Sequence, residues 1–300
     1  MAYRCIMVES KAHLSVRNRQ LVIAGDSERT VPLEDIAALL VESVQSTATF
    51  SALAAAAQHG IAVIVCDQSH LPAGVLLPFA QHSRHLQVVM RQLGMTQPTR
   101  NRLWKQVVQC KIANQAECLR ISGHQEAADA LFALSKQVQT GDKGYLEGVA
   151  AAQYFAALFG KGFRRGAENG INAALNYGYS LFRAATARAL AVYGLLLCTG
   201  IQHHSELNTM NLADDMMEPF RPIVDLYVAH HVSEDEILTP LSKRALFSLL
   251  ACDVLSGTQH HSAHYAVERL VQSFVGATEC PRCAKLTLPT LLPLQPHRYE

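Results

Sequence analysis

The spacing of apolar residues along the chain changes once, close to residue 80. Before that point the apolar runs are short and rich in β-branched residues: YRCIMVE, HLSVRN, QLVIAG, RTVPLEDIAALLV, GIAVIVCD and AGVLLPF. Stretches such as LSVRNRQLVI alternate, with turn residues at Gly25-Asp26 and His59-Gly60, which is the period-two pattern of half-buried strands. Ser46 to His59, STATFSALAAAAQH, is the exception. Ser and Thr open it as capping residues, alanine fills it, and it predicts one helix. From about Gln81 to Gly276 apolar residues recur at helical spacing, and the only prolines are Pro98, Pro219, Pro222 and Pro240. HQEAADALFALSKQVQ and GYLEGVAAAQYFAALFG are amphipathic, and RALAVYGLLLCTG closes on a glycine of C-cap type. The pattern predicts an α+β chain: a small β-rich domain over 1–80, a larger all-α domain over 81–283, and a tail over 284–300. Pro289, Pro293 and Pro296 keep that tail extended or disordered.

Length and charge narrow the class. A chain of 300 residues has enough length for a sizeable core, and no apolar run approaches the roughly 18–20 residues that cross a bilayer. The opening MAYRCIMVES lacks the basic and apolar regions of a secretory signal, so a cytoplasmic protein is expected. Its eight cysteines are scattered rather than densely spaced, which fits reduced thiols. A net charge of +1 excludes a uniformly basic nucleic-acid binder and leaves local patches to be found.

The densest charge lies in HHSELNTMNLADDMMEPFRP, His203 to Pro222. Asn211 is a candidate N-cap with Asp214 as its capping-box acid, so a helix is expected to start there. Asp215 and Glu218 then share a face at i and i+3, while Asp214 points about 100° away and stays solvated. Glu218 paired with Arg221 is the plain alternative. Two carboxylates on one face raise each other's pKa unless a cation sits between them, which suits a divalent metal. His203 and His204 lie just upstream, and a mixed carboxylate and imidazole set suits Mg²⁺ and particularly Mn²⁺. Glu147, the only acid between Tyr145 and Phe163, is the candidate third ligand, with a surface acid as the competing reading.

Positive charge is concentrated as well. Between Gln81 and Arg120 stand Arg84, Arg91, Arg100, Arg102, Lys105, Lys111 and Arg120 against the single acid Glu117, with Trp104 among them. KGFRRG adds Lys161, Arg164 and Arg165. Such a distribution can track a phosphate backbone; a solvated helix face is the commoner alternative. Asn176 and Tyr177 in GINAALNYGYSLF are candidate supports for metal ligands or phosphates, or ordinary core polar groups. A zinc site from His260, His264, Cys280 and Cys283 is conceivable but follows no spacing rule.

Taken together, YLEGVAAAQYFAALF, INAALNYGYSLF and GIQHHSELNTMNLADDMMEPFRPIVD, supported by VPLEDIAALLVES and GIAVIVCD, resemble the CRISPR-associated spacer-acquisition integrases, the first-numbered Cas proteins, particularly their type II form. The resemblance runs to about residue 276. It implies a β-rich homodimerisation domain and a helical domain whose metal ligands fall on Glu147, His203 and Glu218. His204 stays in reserve for His203, and Asp215 is an accessory acid. It further implies Mg²⁺ or Mn²⁺, and DNA substrates (a pre-spacer duplex and the CRISPR repeat) held by Arg84, Arg91, Arg100, Arg102, Lys105, Lys161, Arg164 and Arg165. The implied assembly has a small second Cas protein bridging two dimers. The implied reaction is attack of a 3′-hydroxyl on a repeat-end phosphodiester. A general metal-dependent nuclease or phosphohydrolase, and a non-catalytic DNA-binding scaffold, are the rival functions.

Overall fold

The computed structural model describes residues 3–78, 82–280 and 284–299. The first part contains β1 (Arg4–Val8), β2 (His13–Arg17), β3 (Gln20–Ala24), β4 (Glu28–Pro32), β5 (Ile36–Val41), β6 (Thr47–Ala48), α1 (Phe50–Gln58), β7 (Ala62–Cys66) and β8 (Pro72–Leu76). Two four-stranded sheets form, in the orders β4-β3-β2-β6 and β1-β5-β7-β8. The β2–β3 hairpin turns on Asn18 and Arg19, at φ 52° and 59°, the two positive angles that a two-residue hairpin turn demands. Thr49 caps α1 by accepting a bond from the Ala52 amide at 3.2 Å.

The β1-β5-β7-β8 sheet explains why IAALLV reads as continuously apolar. Leu39 and Val63 face a small core with Leu14, Leu21 and Leu33. Ala38, Leu40, Ala62 and Ile64 face the large core of the helical part. A sheet buried on both faces does not alternate.

The helices are α2 (His85–Leu93), α3 (Gln97–Ile121), α4 (Gln125–Gln137), α5 (Leu146–Phe159), α6 (Gly170–Val192), α7 (Asn211–Met217), α8 (Arg221–His231), α9 (Pro240–Ser248) and α10 (Ala263–Glu279). Helices α3 and α6 are the long central pair, and α6 approaches α8 so closely that a Cβ on Gly178 would collide with Val224. Trp104 is buried on α3, so its place among the basic residues is a core position rather than a base-stacking one. Arg188 of α6 ties that helix to the sheet by donating to the Gly60 carbonyl before β7 and to α10 by pairing with Glu268, and Lys243 of α9 lies 3.2 Å from Glu42, just after β5.

The expectation of an all-α second domain is wrong. Strands β9 (Asp253–Ser256), β10 (Gln259–Ser262) and β11 (Pro289–Thr290) form a third sheet, in the order β10-β9-β11. Its strands are only two to four residues long, too short to imprint a period on the sequence. The hairpin closes on Gly257 at φ 70°, with Ser256 opposite Gln259. His260 is therefore on a strand and His264 on a helix, so the two histidines of the conceivable zinc set do not share a helix face; Cys283 lies outside the described residues. The tail lies extended against the helical part, with Leu286 and Leu291 buried. Among the described residues no helix is long and apolar enough to cross a membrane.

Candidate active site

Three segments far apart in the chain meet beside α3. Glu147 stands in the first turn of α5, and that turn is fixed by buried Asp142, whose carboxylate accepts the amides of Leu146 at 2.9 Å and Glu147 at 3.1 Å. An acid capping a helix start satisfies amides that have no partner within the helix. Glu218 opens a short 3-10 turn, Glu218–Phe220, between α7 and α8. Between the two acids stands Lys111 of α3, its Nζ 2.6 Å from Glu147 Oε1 and 2.5 Å from Glu218 Oε2. Arg221 Nε lies 3.0 Å from Glu218 Oε1, so the plain i, i+3 ion pair is present as well.

His203 is held by Asp215. Asp215 is fully buried and accepts three successive backbone amides: Ile201 at 2.6 Å, Gln202 at 3.1 Å and His203 at 3.1 Å. Its Oδ1 also lies 2.7 Å from His203 Nδ1. The loop wraps this closely only because residue 200 is glycine: a Cβ there would meet Asp215 Oδ2 at 2.6 Å and collide with the His203 carbonyl. Arg100 supports the same loop, donating to the Gly200 carbonyl at 2.8 Å. Trp104 meets the imidazole edge-on, with centroids 6.1 Å apart.

The electrostatics follow from these contacts. Burial pushes the Glu218 carboxyl up, but Lys111 and Arg221 outweigh it and hold the group below the usual carboxylate range. Burial opposes the charge on Lys111 too, and Glu218 and Glu147 raise it nonetheless. The hydrogen bond to Asp215 raises His203 above the usual imidazole value against a smaller opposing effect of burial. Behind Arg221, Asp225 is buried under the hydroxyls of Tyr154, at 3.0 Å, and Tyr179; burial pushes its carboxyl up to about 6.

Among the described residues no three His, Cys, Asp or Glu side chains stand together closely enough to hold a metal ion. The donor set nonetheless suits one. Two carboxylates flank a single cationic position, now taken by Lys111 Nζ. Glu218 Oε2 is buried with an ion pair but no hydrogen bond. The Nδ1 contact with Asp215 leaves Nε2 as the imidazole's remaining nitrogen, the carboxylate–histidine arrangement usual behind a metal.

The other residues singled out in the sequence are spread more widely. His204 is exposed, and among the described residues no hydrogen bond ties it to the acids. Asn176 accepts from Arg165 at 2.7 Å, and Tyr177 is buried beneath Lys243, with no hydrogen bond from either to Glu147, His203 or Glu218. Arg84, Lys161 and Arg164 are exposed. Arg91 pairs with Glu279, Arg102 donates to Thr99 at 3.2 Å, and Lys105 is half-buried. Arg100 spends its three nitrogens on carbonyls, and Arg165 reaches Asn172 at 2.6 Å. Asn211 does not cap α7: it is buried and donates to the carbonyls of Cys198, Ser205 and Asn208. Asp214 is not solvated alone but paired with Arg183 at 2.7 Å. Sequence reasoning counted Lys111 only as one charge of a patch and missed Asp142, whose sole signal was an acid a few residues before Glu147.

With this geometry in view, the comparisons with known proteins converge. The family model described as CRISPR associated protein Cas1 matches residues 5–240. A CRISPR-associated endonuclease Cas1 from Neisseria meningitidis serogroup C (strain 8013) is 41% identical over 304 aligned residues, covering 100% of both chains. Among solved structures, a casposase bound to integration product has TM-score 0.76 at 20% identity, over 94% of this chain and 92% of its own. The Cas6-RT-Cas1–Cas2 complex has TM-score 0.71 at 19% identity, over 96% of this chain and 36% of that one. At such identities the solved structures speak to the fold, whereas the family match and the full-length relative settle descent: the chain belongs to the CRISPR-associated Cas1 family.

Proposed function

We propose that the chain is a CRISPR adaptation integrase acting in the cytoplasm: a strand-transferase that inserts captured DNA at the ends of a CRISPR repeat, using Mg²⁺ or Mn²⁺ held by Glu147, His203 and Glu218. The observation that carries this reading is the convergence of Glu147 and Glu218 on one ammonium, with His203 oriented by a buried carboxylate nearby. Membership of the Cas1 family supports it, and so does the casposase relative in fold, whose structure was solved on its integration product.

In the proposed reaction a donor 3′-oxygen forms a new bond to the target phosphorus, the bond from that phosphorus to the target strand's own 3′-oxygen breaks, and the proton of the attacking hydroxyl passes to solvent as the departing oxygen takes one up. A divalent cation would polarise the phosphate and lower the pKa of the attacking hydroxyl. The chain's own groups do the rest. Glu147 and Glu218 supply the negative charge that a cation needs, and Asp215 holds the His203 ring by Nδ1. Lys111 neutralises the acids while no cation is there. Exposed Arg84, Lys161 and Arg164 attract the phosphate backbone without reading sequence. No protein nucleophile is required. One site joins one strand, so two sites at a fixed separation are needed; the proposed assembly is a pair of homodimers bridged by the small second Cas protein, and the Cas1–Cas2 composition of a fold neighbour supports it.

The test is a half-site integration assay with labelled donor and a repeat-bearing target. A covalent donor–target product should appear with Mn²⁺ and vanish in EDTA and in Glu147→Ala, His203→Ala and Glu218→Ala. Cut target with no new joint would indicate a nuclease instead, and DNA binding indifferent to EDTA without either product would indicate a scaffold.

A further inference from the structure

The chain's last described segment is held by side-chain amides from one face of α3. Gln106 accepts the Leu286 amide at 3.0 Å and donates to the Ala284 carbonyl at 3.1 Å. Two turns on, buried Asn114 accepts the Leu291 amide at 3.1 Å and donates to the Pro289 carbonyl at 3.1 Å. Cys110, between them, donates to the same Pro289 carbonyl at 3.1 Å. The two amides grip the tail as a neighbouring strand would, and β11 is also paired with β9.

Asn114 makes one more contact. Its Nδ2 donates to the Pro219 carbonyl at 2.8 Å, one residue beyond Glu218. The amide orientation is unambiguous, because two carbonyls require a donor and the Leu291 amide requires an acceptor. Proline at 219 and 222 deprives this stretch of two backbone donors, so a side chain takes part in holding its geometry. Lys111, three positions earlier on the same helix, grips the Glu218 carboxylate. Side chain and backbone at Glu218 are thus fixed by neighbouring residues of α3, and one of them is itself fixed by the tail.

We propose that the tail from Ala284 to Leu291 is a strap that positions Glu218 through Asn114, a positioning residue that touches neither substrate nor metal. The inference rests on Glu218 being part of the active site. It gives the proline-rich tail a role within its own chain: the tail fills both remaining hydrogen-bonding groups of Asn114, so the amide cannot turn away from Pro219.

The experiment uses the full chain with Asn114→Asp, which keeps the acceptor for Leu291 but loses both donors, Asn114→Ala as a second variant should the first fail to fold, and Gln106→Ala, which frees the tail at Ala284 and Leu286 and leaves Asn114 itself in place. Hydrogen exchange read on residues 215–225 should speed at least tenfold in the Asn114 variants and by a smaller but measurable factor in Gln106→Ala. Calorimetric Mn²⁺ affinity should fall about tenfold or more in the Asn114 variants, the usual cost of losing a supporting hydrogen bond, and by a smaller factor in Gln106→Ala. Exchange over residues 215–225 that is unchanged in the Asn114 variants, or unchanged in Gln106→Ala, overturns the strap. A wild-type chain that binds no Mn²⁺ contradicts the proposed function instead, and the exchange result still decides the strap.

Discussion

Lys111 is the residue whose replacement interrogates the site most sharply. It is buried, and its ammonium is 2.6 Å from Glu147 and 2.5 Å from Glu218. Lys111→Met keeps the length of the stem and deletes the charge. Glu218 is almost entirely buried and would be left with Arg221 alone, and removing one partner of a buried ion pair costs about 3–5 kcal/mol because the other charge stays desolvated. Glu147 is half-exposed and would add little. Urea unfolding in EDTA should therefore show a loss of roughly 3 kcal/mol in the variant. A divalent cation then has an empty position between two acids. Mn²⁺ at a hundredfold excess over its dissociation constant should restore about 2.7 kcal/mol. The wild-type chain should gain less from the same Mn²⁺, since the cation must displace Lys111. A variant within about 1 kcal/mol of wild type in EDTA, or one that gains no more from Mn²⁺ than wild type does, would refute the view that Lys111 stands in for a cation.

Other outcomes follow from single contacts. Gly200→Ala puts a Cβ against Asp215 and the His203 carbonyl, so strand transfer should fall at least tenfold while the remote core is unaffected; full activity would show that the loop does not depend on that close approach. Burial lowers His264, which faces Arg188 and Glu268, to about 4, so its contribution to stability is complete above pH 6.5 and is lost as pH falls toward 4. His264→Gln should remove roughly 2 kcal/mol of the stability that wild type loses between pH 7 and pH 5 in urea titrations. Asp225 runs the other way: with its carboxyl raised from 3.8 to about 6, its contribution is complete below pH 3.8 and is lost as pH rises through 6, so Asp225→Asn should be relatively stabilised at pH 7. Replacing exposed Lys161 and Arg164 with alanine should lower the salt dependence of DNA affinity by about one unit of slope each, whereas Arg100→Ala should loosen the His203 loop and leave that slope nearly unchanged.

How much of this was legible depended on whether a residue's role is local. Strands β2 and β3 announce themselves by alternation, β5 and β7 by short continuous apolar runs, and α1 by its Thr49 cap and alanines. Glu147 stood out as a lone acid on an apolar helix, and Glu218 by its spacing from Asp215 and Arg221. Lys111 did not, because its charge has a meaning only through partners 36 and 107 positions away. The same holds for Trp104: in the sequence it stands among basic residues, yet it is buried in the core. Asn211 has the chemistry of a cap but is used on three loop carbonyls, a choice made by the loop's fold rather than by the helix start. The third sheet escaped notice because its strands are too short for a pattern and its third member comes from the proline-rich tail. Proline excluded a helix there but could not indicate that the segment would be gripped by Gln106 and Asn114.

The most direct measurement is anomalous diffraction from crystals of the protein soaked in Mn²⁺. One strong peak should stand within coordination distance of Glu147, Glu218 and His203 Nε2, with Lys111 turned out of the position it holds between the acids. A map with no peak there, with Lys111 still bridging Glu147 and Glu218, would rule out a metal site built from these residues.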